Sequence, residues 1–133
     1  MAIQIRDICP LLQVFDMPTS IRFYRDVLGF AVAQTSAPDD SFTWALLRRD
    51  GAEIMLNTAY DDDERPAAPD PGRVVGHADA ALFFGCPDVE GAYRHLRANG
   101  LDVAEPVVRD YGMKQLYVRD PDGFELCFQS PAA

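Results

Sequence analysis

Few residues in this chain have side chains suited to catalysis or metal binding. Its 133 residues include three cysteines, Cys9, Cys86 and Cys127, and two histidines, His77 and His95. The cysteines are odd in number and fit no zinc-finger spacing, which suits free thiols in a reducing compartment. A cysteine nucleophile needs a neighbouring base or cation to form its thiolate, and neither Cys9 nor Cys127 has an assignable histidine partner. His95 falls inside a helical pattern, and His77 lies in a loop a few residues ahead of a strand, with no assigned role. Glu53 and Glu125 are the candidate acid or base groups, each near a strand start where a carboxylate also serves as a solvated rim residue. No catalytic dyad emerges from this set.

The elements that must position these residues follow from a repeat. DGAEIML at Asp50 to Leu56 and DGFELCF at Asp122 to Phe128 are near-copies, each closing one half of the chain. Such self-similarity implies a duplicated supersecondary unit. Apolar runs from Ile8 to Phe15 and from Ala80 to Phe84 lead to Asp16 and Asp88, and each aspartate opens a helical pattern that stops at Gly29 or Gly100. Met17, Ile21, Tyr24 and Leu28 in the first half, and Val89, Tyr93 and Leu96 in the second, recur at helical spacing. Asp at the N-cap, Pro18 in the first turn and Gly beyond each end are the expected punctuation. Strands are predicted over residues 30–35, 42–48 and 52–57, and again over 101–108, 113–119 and 124–129. The result is an α+β chain of two βαβββ modules, residues 1–58 and 77–133. Between them, residues 59–76 are rich in Asp and Pro and lack apolar periodicity, which predicts a mobile linker rather than a lid.

Composition narrows the function classes. A hydrophobic fraction of 48% is ample for a folded core, and no apolar run reaches transmembrane length. The N-terminus has no basic region followed by a secretory core, so the expected location is cytoplasmic. A formal charge of −9 argues against a nucleic-acid partner, whose binding requires phosphate neutralisation.

VFDMPTSIRFYRDVLGF at Val14 to Phe30 resembles the opening signature of the vicinal oxygen chelate superfamily, and VRDPDGFELCF at Val118 to Phe128 resembles its closing one. That superfamily contains glyoxalase I, extradiol dioxygenases, fosfomycin-modifying enzymes and the metal-free bleomycin-binding resistance proteins. The resemblance spans about Ile8 to Gln129 and implies that the modules form an incomplete, cleft-enclosing barrel, as a homodimer. It also implies metal ligands at one first-strand and one last-strand position of each module: Cys9 and Met55, Ala81 and Cys127. The internal repeat marks the same four positions. The family pattern calls for His, Glu or Gln there, and this chain departs from it at all four. Hard or borderline divalent ions need carboxylate or imidazole donors, and alanine supplies none, so no metal and no cofactor are expected.

Three readings remain for the sulfurs of Cys9, Met55 and Cys127. They could form a soft-metal site, since copper(I) prefers thiolate and thioether donors. They could supply a nucleophile or redox centre. Or they simply coat an apolar pocket as small, polarizable side chains, the reading adopted here because no base accompanies either thiol.

Strand alternation extends the pocket. In phase with the four positions lie Leu11 and Gln13, Glu53 and Asn57, Phe83, and Glu125 and Gln129, with Trp44, Tyr111, Met113 and Tyr117 as added stacking surface. Ile8, Pro10, Leu12 and Val14 should point under the helix, and Ile54, Leu56, Phe124, Leu126 and Phe128 should form the core. The expected cleft therefore comprises Cys9, Leu11, Gln13, Trp44, Met55, Asn57, Ala81, Phe83, Tyr111, Cys127 and Gln129. Its mixture of apolar walls and a few amides suits capture of a small hydrophobic or aromatic molecule, cations included, by sequestration without turnover. The alternatives are a glyoxalase-like lyase, isomerase or dioxygenase with an atypical metal site, and a dimer whose cleft merely packs.

Overall fold

A computed structural model describes residues 2–132. The chain divides into two compact units, Met1–Ala67 and Ala68–Ala133, each with its own four-stranded sheet.

In the N-terminal unit β1 (Leu11–Val14), β2 (Ala31–Thr35), β3 (Trp44–Arg49) and β4 (Ala52–Thr58) are ordered β1-β4-β3-β2, with β1 parallel to β4 and the other neighbours antiparallel. A parallel pair needs a crossover. The first helix begins that crossover. Asp16 caps it by accepting from the Thr19 amide at 3.1 Å, with Pro18 in its first turn. After α1 (Met17–Ile21) the helix widens into a π-helical stretch over Arg22–Val27, in which the Leu28 amide reaches back to the Phe23 carbonyl at 3.0 Å. The helical segment covers Leu12, Val14, Ala45, Leu47, Ile54 and Leu56, one face of the sheet, with the fully buried Tyr24 edge-on to Phe23 and Phe30.

The C-terminal unit repeats this plan with β5 (Ala81–Gly85), β6 (Val107–Val108), β7 (Met113–Arg119) and β8 (Glu125–Pro131) in the order β5-β8-β7-β6. Its crossover helix α3 (Val89–Ala98) is capped by Asp88, which accepts from the Gly91 amide at 2.9 Å. A Cβ on residue 91 would sit 2.2 Å from the capping carboxylate, so the cap itself requires glycine there. Leu82, Phe84, Leu116, Val118, Leu126 and Phe128 alternate onto the helix-covered face by strand parity, and Phe84 stacks on Phe128 at 5.3 Å.

Three expectations are corrected. Ile8 does not lie under the helix: it is 86% exposed. The β1 ladder ends with the Met55 amide donating to the Pro10 carbonyl at 2.8 Å, and Pro10, lacking an N–H, cannot carry it back toward Ile8. The strand predicted over 101–108 shrinks to Val107–Val108, again just after a proline, Pro106. The 59–76 stretch carries a helix: Asp70 caps α2 (Pro71–His77), accepting from the Gly72 amide at 3.0 Å. Asp-Pro at the cap and first turn is the same start signal as at Asp16, but seven residues are too few for apolar periodicity to register.

Candidate ligand-binding faces

In both units the helices cover one face of the sheet, and alternation sends the other set of side chains to the open face. In the N-terminal unit Leu11, Met55 and Leu46 form one cross-strand row, and Trp44 stands opposite Asn57, which is itself paired with Gln13. The Asn57 amide donates to Gln13 Oε1 at 3.2 Å. A third row pairs Arg48 with Glu53, whose carboxylate is ion-paired to that arginine. Five of the expected residues, Leu11, Gln13, Trp44, Met55 and Asn57, thus share one face. Cys9 lies outside it, two residues before the strand begins, and the residue level with Met55 is Leu11.

In the C-terminal unit the rows are Phe83, Cys127 and Tyr117; Gly85, Gln129, Gln115 and Val107; and Ala81, Glu125 and Arg119. The expected residues Ala81, Phe83, Cys127 and Gln129 therefore share the open face. Gln115 is the centre of this face, 2% exposed. Its Nε2 donates to Gln129 Oε1 at 2.9 Å, and its Oε1 accepts from Tyr117 Oη at 2.7 Å, Tyr111 Oη at 3.0 Å and Arg109 Nε at 3.3 Å. Phe83, 52% exposed, stands edge-on to Tyr117 with centroids 6.3 Å apart, and the Arg109 guanidinium lies over the Tyr117 ring at 5.7 Å. Beside this cluster a depression of about 390 Å³ is lined by Leu101 to Ala104 together with Tyr117, Val118, Arg119 and Glu125. The segment that failed to become strand forms its wall.

Gln115 and Arg109 were missed from the sequence, although the signal was present. Met113 and Tyr117 have the parity of Gln115 on one strand, and Arg109 continues the parity of Val107 around the turn at Gly112. An amide amid aromatics attracts less notice than a histidine, yet here it fixes four neighbours.

Both thiols at the four positions are shifted away from thiolate. Burial pushes the Cys127 thiol up from its ordinary value and Glu125 adds to the effect, against opposing pulls from its hydrogen bond to Tyr117, the Leu116 backbone and the Arg109 charge. Burial likewise raises Cys9, helped by Glu53 and Asp7 and opposed by Arg48. A nucleophile requires the reverse shift. Nor does a metal fit the donor set. Ala81 offers no donor and Cys127 is enclosed by Phe83 and Tyr117. Within either unit, among the described residues, no three His, Cys, Asp or Glu side chains are grouped to hold an ion. Glu53, the candidate base of the first unit, is committed to Arg48.

Two duplicated strand-helix-strand-strand-strand units, each with one covered and one open sheet face, define a class of scaffold whose relatives are readily found. The sequence pattern of the Glyoxalase/Bleomycin resistance protein/Dioxygenase superfamily matches residues 6–128, and the chain belongs to that superfamily. It is 32% identical over 125 residues to a lactoylglutathione lyase of Haemophilus influenzae, covering 89% of this chain and 87% of that one. Its fold is similar to that of TioX from Micromonospora sp. ML1, with a TM-score of 0.74 and 17% identity over 95% of this chain and 98% of the other. It is similar too to a bleomycin-binding protein complexed with bleomycin, with a TM-score of 0.70 and 19% identity over 95% and 98% of the two chains. Among the described residues no helix is long and apolar enough to cross a membrane.

Proposed function

We propose that this chain is a metal-free small-molecule-binding protein that acts by sequestration, taking up hydrophobic or aromatic ligands on the open sheet faces described above. The observation that carries this reading is that the four positions where the family pattern places metal ligands hold Cys9, Met55, Ala81 and Cys127, while the open sheet faces present Leu11, Trp44, Met55, Phe83 and Tyr117 with the amides of Asn57, Gln115 and Gln129. Apolar walls with a few fixed polar groups suit an organic ligand. The bleomycin complex of a similar fold supports that use of the scaffold. The test is native mass spectrometry of the purified protein against a panel of aromatic and aliphatic molecules. One-to-one adducts that leave the ligand chemically intact are expected, and a ligand converted catalytically would defeat the reading.

The lactoylglutathione lyase relative favours a second reading, a lyase with an atypical metal site. Its test is turnover of lactoylglutathione with nickel or zinc supplied in excess. No turnover above the metal blank is expected, because neither Ala81 nor the enclosed Cys127 completes a ligand set.

The assembly proposed is a homodimer. Ile3, Ile5 and Ile8 lie exposed on the segment before β1, an apolar row of the kind that a partner covers. Light scattering at micromolar concentration should give twice the chain mass of 14.8 kDa, and a monomer would count against it.

A further inference from the structure

We infer that the open face of the C-terminal sheet selects aromatic molecules carrying a carboxylate, with Arg109 as the residue that reads the anion. This inference rests on the reading of the protein as a small-molecule binder and narrows it. The chain as a whole carries −9, which on net charge alone favours a cation. Local charge argues otherwise. In the strand rows of this face Arg109 and Arg119 accompany the carboxylate of Glu125, which is paired across the ladder with Arg119; Asp102, beside the depression, is ion-paired to Arg97, and Lys114, on the opposite parity, is ion-paired to Glu90 of α3.

The geometry of Arg109 makes it available. Among the described residues it has no carboxylate partner; it donates through Nε to Gln115 and lies over the Tyr117 ring. An amide oxygen offers two lone pairs. Gln115 Oε1 has three donors, and the two tyrosine hydroxyls hold the shorter contacts at 2.7 and 3.0 Å, which leaves the 3.3 Å bond from Arg109 the weakest of the three. An incoming carboxylate therefore competes with a poor interaction, and the planar fork matches it with two parallel N–H donors. The ring of the ligand has matching surface: Phe83 and Tyr111 are 52% and 64% exposed, unusually open for aromatics, and Tyr117 lies between Phe83 and Arg109. Because Gln115 is buried and bonded to Gln129 as well, the two tyrosines are held in place before any ligand arrives, and Arg109 rests on the Tyr117 ring beside them.

Naphthoate, naphthamide and naphthylmethylammonium share one ring system and differ in charge. Their affinities for the full chain and for Arg109→Gln, followed by amide NMR spectra, test the assignment. Naphthoate should bind at least about tenfold tighter than naphthamide, as expected for a hydrogen bond to a charged group. It should shift the signals of Phe83, Tyr111 and Tyr117. In Arg109→Gln that preference should vanish, with naphthoate and naphthamide binding equally at the same signals. Equal binding of naphthoate and naphthamide to the unsubstituted chain at the same signals, or tighter binding of the ammonium, would overturn the anion site and leave the binding function standing. If none of the three probes perturbs either sheet face, the binding function falls and the anion site with it.

Discussion

His77 lies flat against Phe124, ring centroids 4.0 Å apart and planes 9° apart, while its Nδ1 meets the Asp122 carbonyl oxygen at 2.6 Å. A carbonyl only accepts, so Nδ1 carries the hydrogen. The contact ties α2 to the Asp120–Gly123 turn, itself closed by Asp120 Oδ1 accepting from the amides of Asp122 and Phe124 at 2.9 Å each. The histidine assigned no role in the sequence is thus the pin between the end of the linker stretch and the repeated DG turn.

His77→Ala should remove both the stacking and the hydrogen bond, costing about 1–2 kcal/mol in denaturant unfolding. Hydrogen exchange should quicken across Pro71–His77 before it quickens in β8. Unchanged exchange in α2 would show that other contacts hold it.

Gly123 carries the same docking from the other side. It has φ +86°, and a Cβ built there would sit 2.7 Å from the Val74 carbonyl oxygen of α2. Gly100 has φ +82° with nothing within 4 Å of its Cβ position. Both alanine variants incur the left-handed penalty of about 1–2 kcal/mol, but only Gly123→Ala also collides with backbone. It should be the more destabilising in urea titrations by at least about 1 kcal/mol. Equal losses would mean that α2 moves aside freely.

How far the sequence reveals this molecule depends on the kind of signal. Asp16, Asp88, Gly29 and Gly100 bound the helices because capping is local chemistry, and the DG repeats lead into β4 and β8 because alternation follows from the backbone. Lost signals are those that depend on partners. Ile8 reads as core until Pro10 ends the ladder, and α2 is too short to announce itself without the Phe124 ring it packs on. Within the site, the shared face of Leu11, Met55 and Asn57 follows from parity, whereas the convergence of Arg109, Tyr111 and Tyr117 on Gln115 requires knowing where the Gly112 turn sends the chain.

Asp16 gives the stability a defined acid limb. The hydrogen bond from the Thr19 hydroxyl is the largest influence holding its carboxyl below the ordinary aspartate value; the Thr19 amide and the Arg65 and Arg22 charges assist, against the cost of burial. A carboxylate whose folded value is depressed contributes stability that is full above its unfolded value of about 3.9 and is lost as pH falls through the lower folded one. Asp16→Ala should therefore cost about 1 kcal/mol at neutral pH, the usual loss for a cap, and progressively less below about pH 4. Urea unfolding of both proteins at neutral and acid pH measures this. A difference that does not shrink in acid would remove the charge from the explanation.

The thiols should differ in reactivity by burial and not by activation. Cys127 is fully buried between its row neighbours Phe83 and Tyr117 and its thiol is pushed up, so a small alkylating reagent should leave it unmodified in the folded chain, with or without ligand. Cys9 and Cys86 are partly exposed and also raised, chiefly by burial, so both should label slowly near neutral pH and faster as pH rises. Mass-spectrometric mapping over a pH series decides. Rapid labelling of Cys127 at neutral pH would reveal an activated thiolate and revive the nucleophile that its surroundings argue against.

Metal content supplies the last prediction. Protein purified without chelator should carry no stoichiometric zinc, nickel, iron, manganese or magnesium: magnesium and manganese need oxygen donors, zinc, nickel and iron need three or more imidazole, carboxylate or thiolate donors together, and the four relevant positions offer one raised thiol in each unit, with a thioether and a methyl group. Added copper(I) distinguishes the remaining case. Within the N-terminal unit Cys9 stands two residues before the position level with Met55, and within the C-terminal unit the row neighbours of Cys127 are Phe83 and Tyr117, so among the described residues these positions bring no more than two sulfurs together in either unit. Elemental analysis after copper(I) loading and gel filtration should return well under one copper per chain. One copper retained per chain, and lost together in Cys9→Ser and Cys127→Ser, would establish the soft-metal site and displace sequestration of an organic ligand as the function.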